Sequence, residues 1–394
     1  MTPKEIELLS ELTIVVPTYN RPLELERSIE YWRDTPLTVH ILDGSDKPWF
    51  PVGLLPGAPN ITYHHLPPIN GENWIENYSR RMNIAAGLPV TALSALCADD
   101  DFFSISGLKL AVSAILNSVE IDAVVGICAE YKYGDSGLSW NLRYVGWREG
   151  LRSRSNDVAE RVLDRSGEFY LYYALMKSEI WKSVLQHTYR FSYSHGYPQE
   201  HLFNAIANAN CKVSVQRHIT WIKKVWELNP AVVGQATRVR DSDWFRDRKN
   251  RSEVKSITNH MATGIQSAIE KHDSSMPATV IAKKYIASIS KFSETTKFRR
   301  LNKIVMRKVV SKTKFLPDFL RQSVNSLLPR QVRIITGAIL QDPNKHLTKN
   351  NFFVLTSLLA ELYKTDIGFS KHDLTMIEEL LLKPREELRL RANI

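Results

Sequence analysis

Short apolar runs alternate with helix-period segments through the first half of the chain. Thr13-Ile14-Val15-Val16 is a continuous apolar run stopped by Pro17, the pattern of a strand covered on both faces. Leu23 to Trp32 predicts a helix, because Pro22 suits a first turn and Leu25 and Ile29 stand four apart. Leu37 to Leu42 predicts a second strand, closed by the turn cluster Asp43-Gly44-Ser45-Asp46. Strand, helix and strand make a βαβ unit, and a parallel sheet follows from it. The alternation continues with a strand at Ile61 to His64, a helix from Glu72 to Ala86, and a strand from Thr91 to Ala98 that Asp99-Asp100-Asp101 stops. A helix over Ser106 to Asn117 and a strand over Ala123 to Ile127 come next. From Ala129 to Ser166 the periodicity disappears and Gly, Ser and Arg rise, which predicts loops and ribbons. A strand over Phe169 to Met176, helices over Ser178 to Gln186 and Gln199 to Ala209, and a strand over Lys212 to Val215 complete this half.

After about Trp226 the pattern changes. Pro230 and Gly234 mark a break, a charge-dense stretch runs from Arg238 to Arg251, and helix-period patterns continue to Ile394. The expected organisation is an α/β domain with a mostly parallel central sheet over residues 10–228, followed by a mainly helical, basic domain over 229–394. A length of 394 residues agrees with two such units, at roughly 100–200 residues each.

Composition narrows the function classes. With 43% apolar and 24% charged residues the chain is neither a disordered tail nor a collagen-like repeat. A net charge of +10 favours phosphates or anionic lipid, while no recognised motif points to nucleic acid, so no nucleic-acid partner is expected. Cys97, Cys128 and Cys211 are widely spaced in apolar surroundings, which predicts a reducing compartment rather than a disulfide framework. Neither a basic leader with a long apolar run nor ~18 consecutive apolar residues is visible, so the expected location is cytoplasmic, soluble or peripheral on the cytoplasmic face of a membrane. Residues 297–331 carry Lys297, Arg299, Arg300, Lys303 and Arg307 among their basic residues, with Asp318 as the single acid and Phe298, Leu301, Val305 and Val309 at helical spacing. Such a segment suits an anionic bilayer surface or the core of the helical domain, and the pattern leaves both open.

Candidate chemistry gathers where strands end. Three successive carboxylates at Asp99, Asp100 and Asp101 repel one another unless a cation joins them, and a hard divalent ion is the natural partner; a solvated turn is the plainer alternative. Pro17-Thr18-Tyr19-Asn20-Arg21 and Asp43-Gly44-Ser45 also follow strands, so all three loops fall on one sheet edge, where open α/β sheets bind ligands. Tyr19 offers a ring face to a base, Asp43 an acceptor for a base or ribose, and Arg80 or Arg81 a cation for a diphosphate. Taken singly, Tyr19 suits core packing and an Asp-Gly pair suits an ordinary turn.

As an ordered set, Thr13 to Arg21, Ile41 to Ser45 and Cys97 to Asp101 resemble the GT-A nucleotide-sugar glycosyltransferases, close to glycosyltransferase family 2, over about Leu12 to Lys224. The resemblance implies a GT-A fold and a transferase moving a sugar from a nucleotide diphosphate, UDP-linked by commonest expectation, to a glycan or lipid-linked saccharide. It assigns the nucleotide to Pro17, Thr18, Tyr19, Arg21, Asp43, Arg81, Asp99 and Asp100, and a divalent Mn2+ or Mg2+ to Asp99 and Asp101, with His218 as a further ligand. Glu200, in Tyr197-Pro198-Gln199-Glu200-His201-Leu202-Phe203, resembles the family's Glu-Asp-x-x-Leu element and is the expected general base of an inverting displacement. Asp157 and Asp164 are alternatives, and the aromatic and basic residues between Tyr131 and Arg154 fall where an acceptor-side insert belongs. Two positions depart from the family: Leu42 replaces an acid before Asp43, and Arg80-Arg81-Met82-Asn83 replaces a simple Arg-Asn pair. An inactive nucleotide-sugar-binding or membrane-associated scaffold and a nucleotidyltransferase are the competing functions; the lack of a Gly-rich loop after Val16 weighs against the latter.

Overall fold

The computed structural model describes residues 1–134, 137–143, 153–164, 171–225, 241–291 and 371–382. The chain opens with α1 (Pro3–Ser10), whose start is fixed by a capping box between Thr2 and Glu5, and continues into β1 (Leu12–Thr18). Next come α2 (Pro22–Trp32), β2 (Thr38–Asp43), β3 (Gly53–Leu55) and β4 (Ala58–His65). Helix α3 (Trp74–Ala85) starts at a second capping box, in which the Asn73 side chain accepts from Ile75 and Glu76 while Glu76 reaches back to the Asn73 N–H. Then follow β5 (Leu93–Leu96), β6 (Phe102–Phe103), α4 (Ile105–Leu116), β7 (Ala123–Gly134) and β8 (Gly137–Arg143). The remaining described elements are α5 (Val158–Asp164), β9 (Leu175–Lys177), α6 (Ser178–Tyr189), α7 (Gly196–Asn210), β10 (Val213–Lys224), α8 (Asp241–Arg246), α9 (Arg251–Ile269), α10 (Ala278–Lys291) and α11 (Lys371–Leu382).

One sheet organises all ten strands, in the order β3-β4-β2-β1-β5-β9-β7-β10-β6, with β8 paired to β7. Strands β4, β2, β1 and β5 are mutually parallel, as are β7 and β10, while β9 joins the two sets antiparallel to both neighbours. This is the mostly parallel α/β sheet that the sequence predicts. The apolar run in β1 divides between two cores: Ile14 and Val16 pack on the side of α1, α2, α4 and α11, and Val15 on the side of α3 and α5 to α10. A period of two through an unbroken apolar run is what a sheet covered on both faces requires.

Several boundaries differ from expectation. Residues 171–174 form a turn, and only Leu175–Lys177 pairs as a strand, because the Tyr172 and Tyr173 rings are turned to line a cleft described below. The expected loop-and-ribbon stretch opens with a regular β7–β8 hairpin, and β10 runs on to Lys224. Helices α9 and α10 share one apolar cluster with α5, α6 and α7, through Ile257, Met261, Ile281 and Tyr285. The basic segment 297–331 lies outside the described residues. No described helix is long and apolar enough to cross a membrane.

Candidate functional site

Parallel pairing of β1 with β2 and β5 puts their C-terminal ends, and the loops that follow, on one edge. A cleft of about 210 Å³ opens there. Six residues predicted from the sequence line it: Pro17, Thr18, Tyr19, Arg21, Arg81 and Asp99. Four further aromatics, Trp74, Tyr78, Tyr172 and Tyr173, complete its wall. Sequence reasoning missed these four. Trp74 had a readable signal, a large aromatic one residue after a helix cap; the two tyrosines of the turn fall in a segment that the sequence reads as a strand.

At the strand ends the Asp triplet is held tightly. Thr18 Oγ1 donates to Asp99 Oδ2 at 2.6 Å, and the Arg21 guanidinium bridges two acids, Nη1 to Asp99 Oδ1 and Nη2 to Asp100 Oδ2, both at 2.5 Å. Asp101 accepts from the Trp221 indole at 3.1 Å and from the Lys224 backbone N–H at 2.9 Å. Tyr131 OH donates to the Asp100 carbonyl at 2.6 Å. Burial raises the Asp99 carboxyl above the usual range even though Arg21 pulls it down, and burial together with Asp100 raises Asp101. Lys223, whose charge burial opposes, is kept protonated by the field of Asp101, with smaller contributions that include Glu200.

Arg81 forms the floor of the cleft, and Asp43 is tied into the turn beside it. Asp43 is fully buried: Oδ1 accepts from the Ser45 N–H at 2.8 Å and hydroxyl at 2.5 Å, and Oδ2 accepts from the Tyr63 hydroxyl. Its oxygens close the turn after β2, and Asp43 is not among the residues lining the cleft. Arg81 donates from Nη1 to the carbonyls of Thr18 at 2.8 Å and Leu42 at 2.6 Å, and from Nε to Asn77 at 2.8 Å. Gly44 permits this approach, since a Cβ there would stand 2.3 Å from Asn77 Oδ1 and 2.6 Å from Arg81 Nε. Of the two adjacent arginines, Arg80 turns away to Glu72 at 2.9 Å and the Pro67 carbonyl at 2.6 Å, which leaves Arg81 as the one on the cleft.

Glu200 lies on the first turns of α7, after the His195 cap. It is half-buried and is not among the residues that line the cleft. Gln199 is buried and donates to the Ser79 hydroxyl and, at 3.4 Å, to the Phe191 carbonyl. Asp157 caps α5 by accepting from the Ala159 N–H at 2.8 Å, a structural task, and Asp164 ends the same helix.

His218 lies on β10, three residues before Trp221 and six before Lys224, the two residues that donate to Asp101, and the register of the strand is irregular between His218 and Trp221. Among the described residues no three His, Cys, Asp or Glu side chains are grouped to hold a metal ion. Tyr144, Trp147 and Arg148 of the expected acceptor-side group lie outside the described residues.

No protein-family model matches the chain, and no curated protein matches it. Among solved structures it is similar to S. aureus TarS 1-349 in complex with UDP, at 13% identity and a TM-score of 0.41, covering 90% of this chain and 91% of that one. The same TarS fragment in complex with UDP-GlcNAc gives 14% identity and a TM-score of 0.41, over 90% and 92%. The mannosyltransferase PcManGT from Pyrobaculum calidifontis, in complex with GDP-Man and Mn2+, gives 12% identity and a TM-score of 0.36, over 90% and 88%.

Proposed function

We propose that the chain is a glycosyltransferase that moves a sugar from a nucleoside diphosphate to a hydroxyl acceptor. The observation that carries this reading is the meeting, at the ends of parallel β1 and β5, of Thr18, Arg21 and Asp99 in an aromatic-walled cleft with Arg81 on its floor. Tyr19 and Trp74 offer ring faces for a base, and Arg81 offers a cation to a diphosphate. Asp43 acts on the nucleotide indirectly, by fixing the turn after β2. Motif order along the sequence supports the same assignment.

Asp99 and Asp101 suit a hard divalent ion. Both are buried carboxylates, and an ion such as Mg2+ takes one or two carboxylates and completes its shell with substrate phosphate and water, so a full protein cage is not needed. When bound, such an ion would stabilise negative charge developing on the departing diphosphate. Glu200 is the general base in this reading: its carboxylate takes the proton from the acceptor hydroxyl as that oxygen bonds to the anomeric carbon. The bond from the anomeric carbon to the diphosphate oxygen breaks, its electron pair leaves with the diphosphate, and the centre inverts. A glycan or lipid-linked saccharide fits as acceptor beside the aromatic wall.

Calorimetry with UDP, GDP, CDP and dTDP, each with and without Mn2+, tests the proposal. One nucleotide binding in a metal-dependent way, and losing that dependence in Asp101→Ala, is the expected result. Binding of none of them by the folded chain would end the transferase reading.

A further inference from the structure

Arg21 is the unusual member of this site. Its guanidinium binds Asp99 and Asp100 at once, through two nitrogens at 2.5 Å, while its side chain keeps a quarter of its surface open to the cleft. Both acids are nearly inaccessible, 3% and 4% exposed, so solvent screens the pair weakly. A divalent cation approaching Asp99 therefore meets a positive charge already seated on that carboxylate. A diphosphate entering the same cleft brings several negative charges that match the guanidinium fork as well as a carboxylate does.

Resting on the transferase reading, we infer that Arg21 is the resident counter-ion of the Asp triplet and is exchanged on donor binding: the diphosphate draws the guanidinium off Asp99, and the carboxylate then accepts the cation. Arg21 thus makes cation and donor binding interdependent, and keeps the site from filling with a divalent ion before a donor is present. Linkage requires that each ligand strengthen the other by the same factor. Placement suits this role, because Arg21 immediately precedes Pro22 at the start of α2, outside the paired span of β1, and Thr18 can keep its own bond to Asp99 while Arg21 moves.

The test is Mn2+ binding to the full chain without nucleotide, followed by electron paramagnetic resonance, for the native protein, Arg21→Gln and Arg21→Lys. Arg21→Gln removes the positive charge and should bind Mn2+ at least tenfold more tightly than the native chain. Arg21→Lys keeps the charge and should stay within threefold of native, which separates loss of charge from loss of fold. With UDP added, the native chain should gain more Mn2+ affinity than Arg21→Gln does. No gain for Arg21→Gln, or no Mn2+ binding by any of the three, overturns the exchange. A tenfold gain in a chain that binds none of the four nucleotides would instead sink the transferase reading and leave Arg21 as the resident counter-ion.

Discussion

The difference between Gln199 and Glu200 shows how one position selects its chemistry. Gln199 is buried against Ser79 and Phe191, where an amide can be satisfied but an ionised acid would be left without its charge partner. Glu200, one residue on, is half-buried. An acid at the position of Gln199, as the family pattern has it, would face the helix-to-helix contact instead of the substrate. Glu200→Gln is expected to leave donor affinity within about threefold and to lower transfer by ~10²–10⁴-fold, the usual contribution of a general base. Steady-state transfer beside calorimetric donor binding checks this, and normal turnover would move the base to another residue. Thr18, Arg21 and Asp99 were legible from sequence because each stands at or within three residues of a strand end. Tyr172 and Tyr173 were not, since their segment reads as a strand, and nothing local tells a cleft aromatic from a core one.

Among the elements, the parallel strands were readable and their lengths were not. β1 stops at Thr18 because Pro17 removes a donor near its end, whereas β7 continues past Ile127 through Glu130-Tyr131-Lys132-Tyr133, where β10 pairs on one side of it and β8 also pairs with it. Pairing of β2 with β4 sets His40 beside His64, Nδ1 to Nε2 at 3.1 Å, while His40 Nε2 bonds the Pro89 carbonyl at 2.8 Å. A carbonyl accepts only, so His40 carries its proton on Nε2, and His64 Nε2 donates to His40 Nδ1. Burial lowers the pKa of both rings, and His40 lowers that of His64 further. A depressed folded-state value means that the stability is present above the unfolded value of 6.5 and is lost as pH falls through the folded value. His64→Gln keeps a donor for His40 and removes one titrating ring. Urea denaturation at pH 7.5 and 5.5 should show a smaller acid loss for this variant than for the native chain; equal losses would mean that the pair contributes nothing to acid sensitivity.

At the scale of the whole molecule, the far end of the described chain returns to the site. Helix α11 packs on α2 with Ile377, Leu380 and Leu381 in the same core as Leu25 and Ile29. Its buried Asp373 accepts from the Ser104 hydroxyl at 2.7 Å and the Ser106 N–H at 3.2 Å, at the N-terminus of α4, where the helix dipole favours a negative charge. Ser104 is also the cap of α4, three residues after Asp101, and near the other end of α11 the Leu381 carbonyl accepts from Tyr133 at 3.3 Å. One helix thus braces the elements that follow the Arg21 loop and the Asp triplet. No local pattern announces such a contact, because the partners are 269 positions apart and each reads as an ordinary surface residue on its own element. Losing a buried charged acceptor from two donors costs about 2 kcal/mol. Asp373→Ala is therefore expected to lower the melting temperature by a few degrees and to weaken donor binding, since Ser104 follows Asp101 by only three residues; Asp373→Asn, which keeps an acceptor, should fall between. Thermal unfolding and calorimetry on the three proteins decide it. A melting temperature unchanged in Asp373→Ala would show that α11 does not hold the start of α4 in solution, whereas a lower melting temperature with unchanged donor affinity would confine Asp373 to stability and detach the tail helix from the chemistry.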